Sequence, residues 1–85
     1  MKVTVKVPPL PADAGEEVVL AQWLVTAAQR VDIGQALVEL ELAKATTEIP
    51  SPVSGVVVEL LCAADETVVP GKPLCIIEAD KAGTG

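Results

Sequence analysis

Sliding the 85-residue chain against itself by 37 positions brings Val19 onto Val56, Leu24 onto Leu61, Ala27 onto Ala64, Val31 onto Val68 and Gly34 onto Gly71. The same shift aligns Leu37 with Leu74, Glu41 with Glu78, Lys44 with Lys81 and Ala45 with Ala82, so nine identities fall without a gap in a window of 27 residues. A half-chain of this length cannot bury its own apolar face, and two similar halves are therefore expected to pack against each other about a pseudo-two-fold axis. For extended segments that arrangement is a sandwich or a flattened barrel of two sheets.

The segments are extended. Val, Leu, Ile and Ala supply nearly all of the 51% hydrophobic content, with no Phe, no Tyr and one Trp, so the core is aliphatic and favours strands. Strand patterns occur at VTVKVP (3–8), EVVLAQWLV (17–25), ALVELELA (36–43), ATTEIP (45–50), GVVVELLC (55–62) and PLCIIEA (73–79). The intervening PPLPADAGE, TAAQRVDIGQ, SPVSG and ADETVVPGK carry the Pro, Gly and Asp of turns. TAAQR has the composition of one helical turn, but nothing beside it sustains a 3.6-residue period. One all-β domain is expected, since a chain this short leaves no room for a second core.

Several function classes are disfavoured. A formal charge of −6 offers no basic patch for nucleic acid or an anionic membrane surface. The longest apolar run, VVVELLCAA, is interrupted by Glu and is far shorter than the roughly 20 residues of a membrane helix. The start MKVTVKVPP lacks the apolar centre of a signal peptide, so a cytosolic location is expected, with Cys62 and Cys75 as buried, reduced thiols. With no His and two separated Cys, no metal site is expected. Ser51 and Ser54 have no base to activate them, and Gly34 and Gly71 read as turn formers preceding strands. Trp23 reads as a partly buried side chain. No catalytic residue is proposed.

Lys44 stands apart. If residues 38–49 form a hairpin with Ala43 and Lys44 as the central turn residues, Leu42 faces Ala45, Leu40 faces Thr47 and Val38 faces Ile49 on one side. Glu41 then faces Thr46 and Glu39 faces Glu48 on the other, and Lys44 lies at the tip. A turn without Gly or Asn is unusual for a two-residue hairpin. An amine at such a tip suits covalent attachment better than catalysis, because a catalytic lysine needs burial or a cationic neighbour, and Glu41 would keep this one charged. On spacing alone, an exposed turn lysine is usually only a solvated charge.

The segment ELAKATTEIPSPVSG resembles the lipoyl-lysine segment of lipoyl domains in the acyltransferase component of 2-oxo acid dehydrogenase complexes, typically of the form ETDKATVEIPSPVAG. Lys44, Ala45, Thr46, Glu48, Ile49, Pro50, Ser51, Pro52, Val53 and Gly55 match, and the likeness extends from KVPPL through Trp23 and Gly34 to VVPGKPLCIIEA. The resemblance implies two four-stranded antiparallel sheets with quasi-two-fold symmetry, residues 1–80 as the domain and 81–85 as the start of a linker. It implies lipoate joined by an amide to Lys44, with Glu41, Ala43 and Ala45 forming the recognition turn. Ala43 replaces the usual Asp, whose loss removes a charge and a turn-favouring side chain. The loop PLPADAGEE (9–17) is implied to lie near the lysine. Lys81, in EADKAG, imitates the motif but has no strand returning after it.

The implied partners are a thiamine-diphosphate-dependent decarboxylase, the acyltransferase core, a flavin-dependent dihydrolipoyl dehydrogenase and a lipoate ligase or lipoyl transferase. The implied setting is the bacterial cytosol or the mitochondrial matrix, with the isolated domain a monomer and its chemistry belonging to the cofactor. A biotin carrier is the first alternative, although biotin-accepting lysines are usually flanked by Met and this one by Ala43 and Ala45. An unmodified interaction domain of the same fold is the second. Glycine-cleavage carriers are similar but longer.

Overall fold

A computed structural model describes residues 1–9, 18–43 and 45–80. Eight strands carry the fold: β1 (Lys2–Lys6), β2 (Val18–Trp23), β3 (Arg30–Val31), β4 (Ala36–Glu41), β5 (Thr46–Pro50), β6 (Gly55–Leu60), β7 (Thr67–Val68) and β8 (Pro73–Ala79). They form two four-stranded sheets of order β1-β8-β6-β3 and β5-β4-β2-β7, with every pairing antiparallel. The expected all-β fold of two four-stranded sheets is therefore present. Six strands lie where alternation places them, while β3 and β7 fall inside segments read as turns. Two residues are too few for a visible period, and only the repeat, which superposes Val31 on Val68, marks them.

The 37-residue shift is a structural operation. Adding 37 carries β2, β3 and β4 onto β6, β7 and β8, and adding 44 carries β1 onto β5, which converts one sheet order into the other. Ladder irregularities follow the same rule: the break between Leu20 and Gln22 in β2 recurs between Val57 and Glu59 in β6. Backbone conformation does too. Gly34 and Gly71 have φ of 88° and 90°, and Ala28 and Asp65 have 73° and 70°. The left-handed region costs a glycine little, which explains Gly34 and Gly71 ahead of β4 and β8.

Core formation obeys the symmetry. Among the described residues each buried side chain has a buried counterpart: Val5 with Ile49, Leu20 with Val57, Val25 with Cys62, Val31 with Val68, Leu37 with Leu74, Val38 with Cys75 and Leu40 with Ile77. Val18 pairs in this way with Gly55, and Val7 with Ser51. Ser51 is the one buried polar side chain among them, and its hydroxyl donates to Val53 O at 2.5 Å. Trp23 is half-buried, packs against the core and donates its indole N–H to Cys62 O at 2.9 Å. That bond satisfies the only polar atom of the ring. Neither cysteine is in a disulfide and both are buried.

Candidate functional site

The β4–β5 hairpin has the register that its alternation predicts. Val38 pairs with Ile49, Glu39 with Glu48, Leu40 with Thr47 and Glu41 with Thr46. Val38, Leu40 and Ile49 are buried, which anchors the hairpin to the core through one face. Beyond the last paired residues, Leu42 N donates to Ala45 O at 2.7 Å, leaving residues 43 and 44 as the connection. Ala43 does not have positive φ, so the turn is neither of the glycine-demanding types I′ and II′. The expected register forms even so. Ala43, Ala45 and Thr46 are exposed. Lys44 itself lies outside the described residues, as do residues 10–17 of the β1–β2 connection and Lys81.

Glutamates dominate the outward face of this hairpin. Glu41 and Glu48 are exposed, Glu39 is half-buried beside Glu48, and Gln22 Nε2 donates to Glu39 Oε1 at 3.4 Å. Ion pairs among the described residues lie elsewhere: the Met1 amine with Glu78, Arg30 with Asp80, and Lys72 with Glu66. Lys2, Lys6 and Arg30 belong to the opposite sheet. In the related half, Ile76 and Thr4 replace Glu39 and Glu48. The like-charge pair is thus confined to the half that carries Lys44.

At the related position β1 stands beside β8 as β5 stands beside β4. Lys2 pairs with Glu78 as Thr46 pairs with Glu41, and Ala79 N donates to Met1 O at 2.9 Å as Leu42 N does to Ala45 O. The strand paired beside the end of β8 precedes it in the chain. β1 lies antiparallel to β8 there, but it comes from the other end of the chain. Asp80 is held by its own N–H to Ser54 O at 2.9 Å and by Arg30, whose Nη1 donates to Oδ1 at 3.0 Å. The hydrogen bond and charge of Arg30 hold the Asp80 carboxyl below its ordinary range, and the Met1 amine does the same for Glu78.

Ser54 O meets Asp80 N, and Ser54 Oγ accepts from Ile33 N, while Gly34 N donates to Ser51 O. The strand ends at 79, 80 and 1 therefore abut the base of the β4–β5 hairpin. Its tip lies at the far end of two strands, about 20 Å away for six residues. Gly55 makes this junction possible, because a Cβ there would lie 2.1 Å from Glu78 O. In the sequence Gly55 enters only as one of the residues that match the lipoyl-lysine segment, since a close backbone approach leaves no local signature.

The model of the biotin and lipoyl attachment family, described as "Biotin-requiring enzyme", matches residues 3–77. Over 82 residues the chain is 37% identical to the dihydrolipoyllysine-residue acetyltransferase component of pyruvate dehydrogenase complex of Corynebacterium glutamicum, covering 95% of this chain and 12% of that protein. Thus the chain spans about an eighth of that relative's length. Among solved structures, the lipoyl domain of the 2-oxoglutarate dehydrogenase complex from Azotobacter vinelandii aligns with a TM-score of 0.72 at 23% identity, over 92% of this chain and 99% of that one. A single-chain, multi-domain long-chain acyl-CoA carboxylase aligns with a TM-score of 0.76 at 17% identity, over 96% of this chain and 7% of that one. At such identities the two structures speak for the fold alone.

Proposed function

The chain belongs to the biotin and lipoyl attachment family, and we propose that it is a lipoyl carrier domain, with lipoate attached by an amide to Nε of Lys44. The observation that carries this reading is the closed β4–β5 hairpin, with Leu42 and Ala45 hydrogen-bonded around residues 43 and 44. The attachment chemistry asks only for a reachable primary amine, and the exposed Ala43, Ala45 and Thr46 leave room for an approaching enzyme. When bound, lipoate supplies a dithiolane able to take up and release an acyl group and two electrons. The protein supplies presentation and recognition. Buried Val38, Leu40 and Ile49 fix the base of the hairpin, and Glu41, Ala43 and Ala45 form the turn that an attaching enzyme reads.

In this reading the domain is part of a dihydrolipoamide acyltransferase and carries its load between three enzymes. These are a thiamine-diphosphate-dependent 2-oxo acid decarboxylase, the acyltransferase core and dihydrolipoyl dehydrogenase. Residues 1–80 act as a monomeric domain, in the cytosol or mitochondrial matrix, and 81–85 begin a linker. A flexible linker makes each delivery intramolecular at a millimolar-scale effective concentration, so weak docking is sufficient. The 37% identity to a dihydrolipoyllysine-residue acetyltransferase component favours lipoate. The structural similarity to a multi-domain carboxylase is the observation behind a biotin-carrier alternative, against which stand Ala43 and Ala45 in place of methionine.

The test is intact mass after coexpression with lipoate ligase or with biotin ligase. A lipoyl increment is expected with the first enzyme only, retained in Lys81→Arg and lost in Lys44→Arg. A biotinyl increment, or none at Lys44, overturns the reading. Rates of reductive acylation by decarboxylases specific for different 2-oxo acids would then identify the complex served.

A further inference from the structure

Strand β1 lies at the edge of its sheet, with β8 on one side and no strand among the described residues on the other. Ala79 N donates to Met1 O, and opposed residues of an antiparallel pair alternate between bonded and unbonded, so Val3 and Val5 turn their backbone groups toward Ile77 and Cys75. The N–H and C=O of Lys2 and Thr4 therefore face outward, unpaired among the described residues. Beside this edge the surface is hollow. Val3 shares the inward face of β1 with the buried Val5 and Val7 but is only half-buried, because it lines a cleft of about 560 Å³ whose other walls include Ile33, Pro52, Val53 and Ala79. Ile33 leaves 68% of its surface to solvent there. On the outward face Lys2 and Lys6 are exposed cations, and neither has an ion pair among the described residues. The pseudo-equivalent edge is of opposite character: β5 turns the backbone groups of Thr46 and Glu48 outward by the same alternation, but it presents the Glu48 carboxylate and ends on Pro50.

From these features we propose that the β1 edge is a docking site for an extended segment of a partner protein, with acidic residues opposite Lys2 and Lys6 and an aliphatic residue opposite Val3. Strand addition of this kind draws affinity from main-chain hydrogen bonds and specificity from pockets for alternate side chains. Here Lys2 and Thr4 supply two donors and two acceptors, and the cleft beside Val3 receives the side chain that faces inward. β8 shows what such a strand needs, since from the other side it sets Glu78 opposite Lys2 and Ile77 opposite Val3. Opposite charges facing each other across two strands stabilise the pairing, and like charges oppose it. Lysines on an edge strand thus deter a second copy of β1 and leave an acidic strand as the fitting occupant. The cleft lies beside Ala79 and Val53, at the foot of the β4–β5 hairpin, so the side chain it receives anchors the partner at the pole away from the hairpin tip. One protein then holds the domain while its turn is offered to another. The inference goes beyond the attachment reading and does not depend on what Lys44 carries.

The test is an amide-resolved NMR titration of the unmodified chain with a capped synthetic peptide of the order glutamate, isoleucine, threonine, isoleucine, glutamate, which reads alike in parallel and antiparallel pairing. Saturable shifts are expected at Lys2, Thr4, Ile33 and Ala79. Thr4→Pro removes only an outward N–H, a change that edge strands accept, and is expected to weaken binding about tenfold, the order of one hydrogen bond lost with its partner left unpaired. The Val3 and Ile77 amides report whether the strand remains folded in that variant. Lys2→Glu combined with Lys6→Glu is the second variant and leaves the backbone unchanged. It is expected to weaken binding of the acidic peptide about tenfold at low salt and to strengthen binding of the same peptide with lysine in place of glutamate. Equal binding of a peptide with glutamine in place of glutamate overturns the inference. So do undiminished binding by a folded Thr4→Pro chain, shifts centred on Thr46 and Glu48, or no saturable shift at all. Shifts at Lys2 and Thr4 that follow protein concentration before peptide is added assign the edge to a second copy and overturn it too. Because the chain carries no lipoate, each of these outcomes leaves the attachment reading untouched.

Discussion

Gly55 has no side chain, yet its position makes it one of the most restrictive residues in the molecule. A methyl group there meets Glu78 O at 2.1 Å and Ala79 Cα at 2.9 Å, both backbone atoms that cannot rotate away. Gly55→Ala is expected to lower unfolding free energy by about 3 kcal/mol, the upper range for overpacking, as measured by urea denaturation. Cys75 is constrained differently. Burial pushes its thiol from an ordinary 9.0 up to about 11, with nearby Cys62 adding to the shift. The folded chain therefore keeps a proton that the unfolded chain begins to lose near pH 9, and stability is full below that pH and declines as pH rises toward 11. Cys75→Val places in β8 the residue that Val38 already provides in β4. It should retain the fold and remove that part of the alkaline decline, as read by urea midpoints from about pH 8 to about pH 11.

Within the β4–β5 hairpin, Glu39 and Glu48 stand directly opposite each other, an arrangement that disfavours pairing. Glu48→Lys should stabilise the domain by roughly 0.2–1 kcal/mol at low ionic strength, with the gain shrinking in about 1 M salt as the Debye length falls to about 3 Å. Thermal melts at two salt concentrations check this. The register behind it was readable from sequence, because alternation puts Val38, Leu40 and Ile49 on one face and a one-residue slip would expose all three. Two sheets about a pseudo-two-fold axis were likewise implied by the repeat, and four strands in each by the family resemblance. The unreadable parts had no local signal. Strands β3 and β7 are two residues each, and the partnership of β1 with β8 joins residues at opposite ends of the chain. Lys44 and Lys81 looked similar in sequence because they share a string. They differ in the chain beyond it: a paired strand continues directly from Ala45, whereas the strand beside β8 begins at the other terminus.

At the scale of the whole molecule, charge gathers where β1 and β8 meet: the Met1 amine pairs with Glu78 and Arg30 with Asp80. The Met1 amine holds the Glu78 carboxyl low and Arg30 holds Asp80 low. Their stabilisation is present above the ordinary carboxylate values of 4.5 and 3.8 and is lost as pH falls through the lower folded values. Acid is therefore expected to loosen β1, β8 and β3 before the β4–β5 hairpin, visible as protection factors in hydrogen exchange that drop first at Val3 and Ile77. Arg30→Ala should flatten the Asp80 part of the profile. The placement of residues 1 and 80 at the foot of that hairpin has a mechanical corollary. Any chain tied to residue 80 pulls on the barrel from the pole opposite its turn, so the rigid body acts as a boom. Its own length of about 20 Å would be added to the radius that cargo hung from the far pole can sweep.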